Sequence, residues 1–146
     1  MGHSGTKSIS KTLSKNDTGD TGAHQVGILV PKQSDILSFF PRLATNVKNP
    51  RTLIRFKDDD GSHWDFAFIY YNNKFFDGTR NEYRLTRMTA FIRAHNLRPG
   101  DELVLTRDAY DQFHISFKRA RSPQKDGRSV LRLGSEWRVI PIRGED

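Results

Sequence analysis

The sequence contains no cysteine among its 146 residues. Disulfide bonds and thiolate metal sites are therefore excluded, and a reducing compartment is compatible with the chain. No apolar run approaches the roughly 20 residues that a membrane-spanning helix needs, and no segment resembles a secretory signal. The sequence thus predicts a domain without a membrane partner.

Enzyme motifs are scarce as well. The sequence has no Gly-x-Ser-x-Gly, no phosphate-binding glycine loop and no His-Glu-x-x-His, and its five histidines show no metal-ligand spacing. Glu136 and Arg138 are the nearest approach to a magnesium nuclease motif, with arginine in the place of the required lysine. We therefore predict that this chain is not an enzyme by itself and needs no cofactor or metal.

Positive charge is what the sequence has in surplus. Its 24 lysines and arginines outnumber 17 acidic residues, which gives a formal net charge of +7. Such a surplus favours a polyanionic partner through counterion release, although it does not say which polyanion. Basic proteins without a nucleic-acid partner are also common, so charge alone does not decide for nucleic acid.

Apolar residues alternate with polar ones along most of the chain, a period that is typical of strands. The predicted strands cover residues 25–30, 51–56, 64–70, 102–106, 112–118, 130–133 and 137–142, with 83–86 as a weaker candidate. Two short helices are predicted over residues 34–40 and 89–96, where Ser34 and Thr89 can act as caps. The pattern predicts a mainly β fold, a seven-stranded open β-barrel with two short helices, because closure hides sheet edges.

A single domain is expected over residues 14–143. Residues 1–13 are polar and without periodicity, and they predict a flexible leader that is either native or an expression tag. Residues 144–146 form a charged tail.

Two polar loops lack a packing role, and both lead into strands of the predicted barrel. They cover residues 16–25 and 74–87, and loops on a rigid scaffold commonly carry binding residues. Their side chains match those that read base edges in the major groove: arginine for guanine, glutamate for cytosine, and asparagine or glutamine for adenine. The candidate base-reading residues are His24, Gln25, Arg80, Asn81, Glu82 and Arg84.

Glu82 is the most informative of these residues. A purely electrostatic phosphate binder gains nothing from a carboxylate between Arg80 and Arg84. The alternative is that Glu82 belongs to an ion pair on a wet surface, which contributes only about 0–1 kcal/mol. Residue chemistry alone leaves both interpretations open.

Phosphate contacts are expected from basic and small polar residues around the two loops and from the basic run that starts at Lys118. The candidates are Lys15, Asn16, Thr18, Thr21, Asn73, Lys74, Thr79, Tyr83, Arg87, Lys118 and Arg119. For the basic run, a solvated charged hairpin is an equal alternative. The aromatic strand at residues 64–70 fits a core strand better than a stacking platform for single-stranded nucleic acid.

Both loops carry long motifs that resemble a known family. Residues 14–31 read SKNDTGDTGAHQVGILVP, and residues 69–73 and 78–87 read IYYNN and GTRNEYRLTR. These segments resemble the start of the recognition domain of EcoRII-type restriction endonucleases. Residues 97–102, LRPGDE, are similar to a turn of the wider B3 family of plant transcription factors.

The resemblance implies a B3-type pseudobarrel of seven strands that holds double-stranded DNA between two arms in the major groove. The N-arm (residues 17–25) would place His24 against a base, and the C-arm (residues 74–87) would read bases with Arg80, Glu82 and Arg84. It further implies a target such as CC(A/T)GG and a covalently linked nuclease domain that needs a divalent cation such as Mg²⁺. A Type II restriction endonuclease of this kind would act in the bacterial cytoplasm.

Three positions depart from the EcoRII pattern. Gly78 and Tyr83 stand where the pattern has basic residues, and Ala67 stands where it has an arginine. The resemblance therefore does not imply the DNA contacts that the EcoRII side chains make at these positions. It also does not imply the outer bases of the target. Because Glu82 and Arg84 are retained, a C·G step is expected in the site.

Three alternatives remain at this point. A B3-type transcription-factor domain would share the fold but regulate genes. A single-strand or RNA binder would use aromatic stacking, and a compact nuclease would cleave DNA with magnesium.

Overall fold

The structure is a computed structural model that describes residues 5–19, 27–120 and 136–141. Within these ranges the chain forms eight strands, three short α-helices and one 3-10 helix. The strands are β1 (Lys7–Thr12), β2 (Ile28–Val30), β3 (Arg51–Lys57), β4 (His63–Tyr71), β5 (Glu82–Thr86), β6 (Glu102–Arg107), β7 (Phe113–Lys118) and β8 (Trp137–Ile140). The helices are α1 (Lys15–Thr18), α2 (Ser34–Leu37) and α3 (Thr89–Ala94), and the 3-10 helix is Asn73–Phe76.

The described strands form one sheet in the order β2-β5-β4-β3-β7-β6-β1-β8. Neighbouring strands pair antiparallel, apart from the parallel pair β3 and β7. The two edge strands, β2 and β8, meet where Trp137 Nε1 donates a hydrogen bond of 2.8 Å to the carbonyl of Leu29. The predicted mainly β, open-barrel fold is confirmed, and the described residues contain one strand, one α-helix and one 3-10 helix more than predicted.

The core of the barrel contains six phenylalanines beside isoleucine and leucine side chains. On β3, Ile54 and Phe56 are buried while Leu53 is exposed, as the alternation of a strand requires. Phe40 stacks on Phe68 of β4 with 4.6 Å between ring centroids, and α3 contributes Phe91 to the same core. Each such side chain stabilises the fold by about 1.5–3 kcal/mol on burial, which makes the barrel a firm base for its loops.

The structure corrects the prediction of a flexible leader. Residues 7–12 form β1, which lies between β6 and β8 in the sheet, and Ile9 is only 1% exposed. The strand escaped prediction because Ile9 and Leu13 are the large apolar residues that this segment buries. Its other inward residue of any size is Lys11, which is also buried and is held by acidic partners described below.

Smaller differences concern the element boundaries. Helix α1 lies in a stretch that the sequence predicts as loop, because a four-residue helix has too few residues for a periodic signal. Helix α2 ends at Leu37, earlier than predicted. The strand predicted at residues 130–133 lies outside the described residues. In the part of the chain that the structure describes, no helix has the length and apolarity to cross a membrane.

Candidate nucleic-acid interface

The C-arm lies between the end of β4 and the strand β5, where it carries three charged side chains of alternating sign. Glu82 and Arg84 are two residues apart on β5, so the strand geometry directs them to one face, and Arg80, just before the strand, joins them through its contact with Glu82. Glu82 Oε2 accepts hydrogen bonds from Arg80 Nη2 at 2.6 Å and from Arg84 Nε at 2.8 Å. Both bonds that the described residues give to this carboxylate end on Oε2, which leaves Oε1 to accept a further hydrogen bond.

Partial burial and the two arginines act in opposite directions on Glu82. Burial raises the pKa of the Glu82 carboxyl, but hydrogen bonds and charge from Arg84 and Arg80 outweigh it and hold the pKa below its usual range. Glu82 is therefore ionised at neutral pH and acts only as an acceptor. Its side chain remains 29% exposed, so a partner can still reach it.

Both guanidinium groups are held in place by further contacts. Arg80 lies over the ring of Tyr71 with its Cζ 3.9 Å from the ring centroid, a cation–π arrangement. Arg84 Nη1 donates to the carbonyl of Gly27 at 3.0 Å. A guanidinium has five N–H donors, so each arginine is positioned and still has donors for a ligand.

The backbone of the C-arm is fixed by Asn73. Its Oδ1 accepts from the Arg80 amide at 2.7 Å and its carbonyl accepts from the Gly78 amide at 2.7 Å. A Cβ atom at Gly78 would lie 2.5 Å from Asn73 Cγ, so this close approach requires glycine. The Asn73 side chain, a predicted phosphate contact, thus has a structural role in positioning Arg80.

Asn81 and Tyr83 lie on the face of the arm opposite Glu82. The Oδ1 of Asn81 accepts from the Tyr70 hydroxyl at 2.7 Å, which leaves its amide nitrogen as a donor. The Tyr83 ring stacks on Tyr70 with 4.1 Å between centroids and packs against the core. Burial, followed by the neighbouring Tyr70, raises the pKa of Tyr83. Tyr83, a predicted phosphate contact, is therefore placed on the core side.

The root of the N-arm is anchored to the barrel by a buried ion pair. Asp17 Oδ2 accepts from Lys11 Nζ at 2.8 Å and from the Ser14 amide at 2.9 Å, while the Asp17 amide donates to Ser14 Oγ at 3.1 Å in a capping box. Lys11 also bonds to Glu136, 2.9 Å away. This cluster joins α1 to β1 and to the residue before β8.

Of the DNA contacts predicted in and just before the N-arm, three belong to helix α1. Lys15 and Asn16 are exposed, and Thr18 Oγ1 donates to the Lys15 carbonyl at 3.2 Å. Thr21, His24 and Gln25 lie outside the described residues.

The structure brings the two arms together at Arg84. A shallow cavity of about 330 Å³ is lined by Arg84, by Asn16 and Asp17 at the root of the N-arm, and by Glu136. Gly27, where the N-arm returns to the barrel, has a φ of +90° and its Cβ would lie 2.6 Å from the Leu85 carbonyl oxygen. That contact needs glycine, and it brings the returning chain close enough to bond Arg84.

The remaining predicted phosphate contacts are spread around this site. Lys74, Thr79 and Arg87 of the C-arm are exposed, and Arg87 has a φ of +67°, which is uncommon for a residue with a side chain. Lys118 pairs in register with Glu102, which pairs with Thr12 next to the N-arm root. Arg119 is exposed, but its Nη2 donates to the His95 carbonyl at 2.8 Å.

Three elements of the site were not predicted: the Lys11 cluster, the ring of Tyr71 beneath Arg80, and the glycine at residue 27. The sequence signal for the first is the spacing Ser14-x-x-Asp17, which is typical of a helix cap. Tyr71 becomes visible only with the pairing of Tyr71 and Glu82 between β4 and β5. Across residues 5–19, 27–120 and 136–141, no group of three His, Asp or Glu side chains is arranged to hold a metal.

The chain is similar to proteins of two kinds, a restriction enzyme and plant transcription factors. The chain is 40% identical over 80 residues to the Type II restriction enzyme EcoRII of Escherichia coli, which covers 53% of the chain and 20% of EcoRII. It is 28% identical over 126 residues to the AP2/ERF and B3 domain-containing transcription factor RAV1 of Arabidopsis thaliana, covering 84% of the chain and 33% of RAV1. The chain therefore spans between a fifth and a third of these two relatives.

The solved structure of an Arabidopsis FUS3-DNA complex has the same fold. It superposes with a TM-score of 0.59 at 24% sequence identity, covering 77% of this chain and 96% of that one. The family described as "Restriction endonuclease EcoRII, N-terminal" matches residues 2–118. This match covers most of the chain, including both arms and β1. The chain belongs to the EcoRII N-terminal domain family of restriction endonucleases.

Proposed function

We propose that this chain is a double-stranded DNA-binding domain that recognises a short specific sequence in the major groove. The observation that carries the proposal is the arrangement of Arg80, Glu82 and Arg84, two guanidinium groups and one carboxylate on one face of the C-arm. The guanidinium groups alone would suit phosphate, but the carboxylate repels it. Donors and an acceptor side by side are what the edge of a base pair requires.

The three side chains fit the edge of a C·G step. A guanidinium can donate two hydrogen bonds to O6 and N7 of guanine, and Glu82 Oε1 can accept from N4 of cytosine. We propose a target of the type CC(A/T)GG, which contains such steps. Because Gly78 and Tyr83 bring no positive charge, the outer base pairs of the target are where we expect this domain to differ from EcoRII.

Phosphate contacts would supply most of the affinity. Arg80, Glu82 and Arg84 form an arginine–glutamate group. The exposed basic residues of the two arms are Lys15 at the root of the N-arm and Lys74 and Arg87 on the C-arm. Together with a net charge of +7, they favour binding that weakens steeply with salt, with a log–log slope of about −0.9 for each phosphate neutralised. These contacts would orient the domain without reading sequence.

The relatives support a place for this domain within a larger restriction enzyme. EcoRII is a Type II restriction enzyme, and the chain covers 20% of it. We propose that cleavage belongs to a covalently linked nuclease domain, which would use a divalent cation such as Mg²⁺, while this domain needs no cofactor. The whole protein would act in the bacterial cytoplasm.

A B3-type transcription factor is the second candidate function. The similarity to RAV1 covers 84% of the chain, more than the similarity to EcoRII does. The two functions differ in their genetic setting, because a restriction enzyme needs a methyltransferase that protects the host. A methyltransferase gene beside the coding sequence would favour restriction.

Selection of bound duplexes from a random pool tests the proposal. We expect the wild-type domain to enrich one short motif with a C·G step, and Arg84→Ala to lose that enrichment. Arg55→Ala is the matched control, since Arg55 also forms an ion pair, with Asp65 at 3.0 Å, but lies on the β3–β4 pair away from the arms. Equal enrichment of all sequences by the wild-type domain, or stronger binding to single strands than to duplex, would contradict the proposal.

A further inference from the structure

The C-arm displays two phenylalanines that the base-reading group does not use. Phe75 is 62% exposed and Phe76 is 37% exposed, both at the end of the 3-10 helix Asn73–Phe76. The other phenylalanines of β3, β4 and α3 are buried in the core. Two adjacent exposed rings on a binding loop therefore need an explanation other than packing.

The loop that carries these rings is rigidly built. Asn72 is fully buried, and its side chain accepts from the Asn49 amide at 2.7 Å and donates to the Val47 carbonyl at 2.9 Å. The Phe75 amide donates to the Asn72 carbonyl at 3.0 Å. The backbone that carries the rings is therefore held in position before binding, so binding has few further backbone dihedrals to order.

Phe75 is also tied to the residues that read bases. The amide of Lys74 donates to the carbonyl of Arg80 at 2.9 Å. Phe75 is the next residue in the chain, so a backbone hydrogen bond fixes its distance from Arg80. The Lys74 ammonium lies 5.9 Å from the centre of the Phe75 ring. A cation beside an apolar ring suits a phosphate next to the apolar part of a base edge, which in the major groove is the thymine methyl.

We infer that Phe75 packs against the C5 side of a pyrimidine in the major groove and makes the domain prefer thymine at that position. The thymine methyl is the apolar group that unmodified bases present in this groove, and the ring would bury it. The inference rests on the proposed function, because it requires the C-arm to enter the major groove. It adds a contact that hydrogen-bonding residues alone cannot make.

Deletion of the methyl group alone gives the sharpest test. Each thymine of the duplex selected by the wild-type domain is replaced in turn by deoxyuridine, which differs only in lacking the methyl. We expect one replacement to weaken binding about fourfold, the fold-change that corresponds to ~0.8 kcal/mol for one buried carbon. We expect Phe75→Ala to weaken binding of the thymine duplex by tenfold or more. The Phe75→Ala variant should then bind the deoxyuridine duplex and the thymine duplex equally.

Tyr110→Ala is the matched control, since Tyr110 is 84% exposed in the turn between β6 and β7. That turn lies beside the start of β4, because Phe113 pairs with Phe56 and Phe56 pairs with Trp64. The C-arm follows the other end of β4, at Tyr71. Tyr71 lies seven positions along the strand from Trp64, roughly 23 Å away at 3.3 Å per residue. Tyr110→Ala should leave the affinities for the thymine duplex and for the deoxyuridine duplex unchanged.

The outcomes separate the inference from the function on which it rests. If the wild-type domain selects a duplex motif but responds to no thymine replacement, or the motif contains no thymine, Phe75 does not read a methyl group and the DNA-binding function stands. If Phe75→Ala weakens both duplexes but still distinguishes thymine from deoxyuridine, another residue contacts the methyl and the inference is wrong. If the wild-type domain selects no duplex, the proposed function and the inference fall together.

Discussion

Replacement of Glu82 by alanine should have opposite effects on specific and non-specific DNA binding. The carboxylate accepts hydrogen bonds from Arg80 and Arg84 and offsets part of their charge. Its removal raises the formal net charge from +7 to +8 at the centre of the proposed interface. Non-specific affinity should rise, and the log–log salt slope should steepen by up to about 0.9 if one more phosphate is neutralised.

Discrimination should fall at the same time. If Glu82 Oε1 accepts from N4 of cytosine, its loss removes about 1–3 kcal/mol of preference against the wrong base at one position. Folding stability should change less, because the Arg80 side chain is 38% exposed and water screens such pairs. We expect a loss of about 1 kcal/mol, in the range for solvent-accessible ion pairs.

Fluorescence anisotropy against duplexes that vary one base pair at a time measures both effects. Urea denaturation of the same variant measures the change in stability. Glu82→Gln separates charge from hydrogen bonding, since it keeps the acceptor and removes the charge. A uniform drop in affinity for every duplex, with all base preferences unchanged, would refute a base-reading role and would favour a purely structural ion pair.

Three further predictions follow from the same contacts. Arg84→Ala should cost about 1–3 kcal/mol on the selected duplex and little on a scrambled one, whereas Arg55→Ala should change both equally in an anisotropy titration. Lys11→Met should lower the free energy of unfolding by about 3–5 kcal/mol, because it removes the ammonium that balances the charge of the buried Asp17 carboxylate; an unchanged urea midpoint would contradict this role. The pKa of Glu82 is lowered on folding, so its contribution to stability is present above the ordinary glutamate pKa of about 4.3 and is lost as pH falls through the lower folded value. The stability difference between wild type and Glu82→Ala should therefore shrink as the pH falls below the ordinary glutamate pKa, and a difference that grows on acidification would contradict the argument.

Strands with a strong alternating pattern could be located from the sequence alone. In β3 and β4 the large residues Ile54, Phe56, Phe66 and Phe68 recur at every second position and are buried, so the period gives both the element and the inward face. In β1, one inward position is a charged residue and not a large apolar one. Lys11 points inward and is neutralised by Asp17 and Glu136. Hydrophobic periodicity cannot detect such a strand, because a lysine at an inward position counts as a polar residue in the pattern.

The candidate site shows the same division between local and distant information. The residue types at 80, 82 and 84 indicate base recognition, and their spacing of two predicts a common face once β5 is assigned. The sequence could not show that all three form one bonded group, or that Tyr71 supports Arg80. Those contacts depend on the register of β4 against β5 and on the turn that Gly78 permits. The residue types of the C-arm also could not show that Tyr83 faces the core, whereas Glu82 and Arg84 beside it face the opposite side.

The hydrogen bond between Trp137 and Leu29 has a consequence for how this molecule behaves in concentrated solution. Strand β2 has only three residues and lies at the end of the sheet, where an unpaired backbone can recruit a strand from another molecule. The indole N–H occupies one backbone acceptor of that strand. One acceptor fewer is then free for a strand of another molecule, which lowers the tendency of this sheet edge to pair.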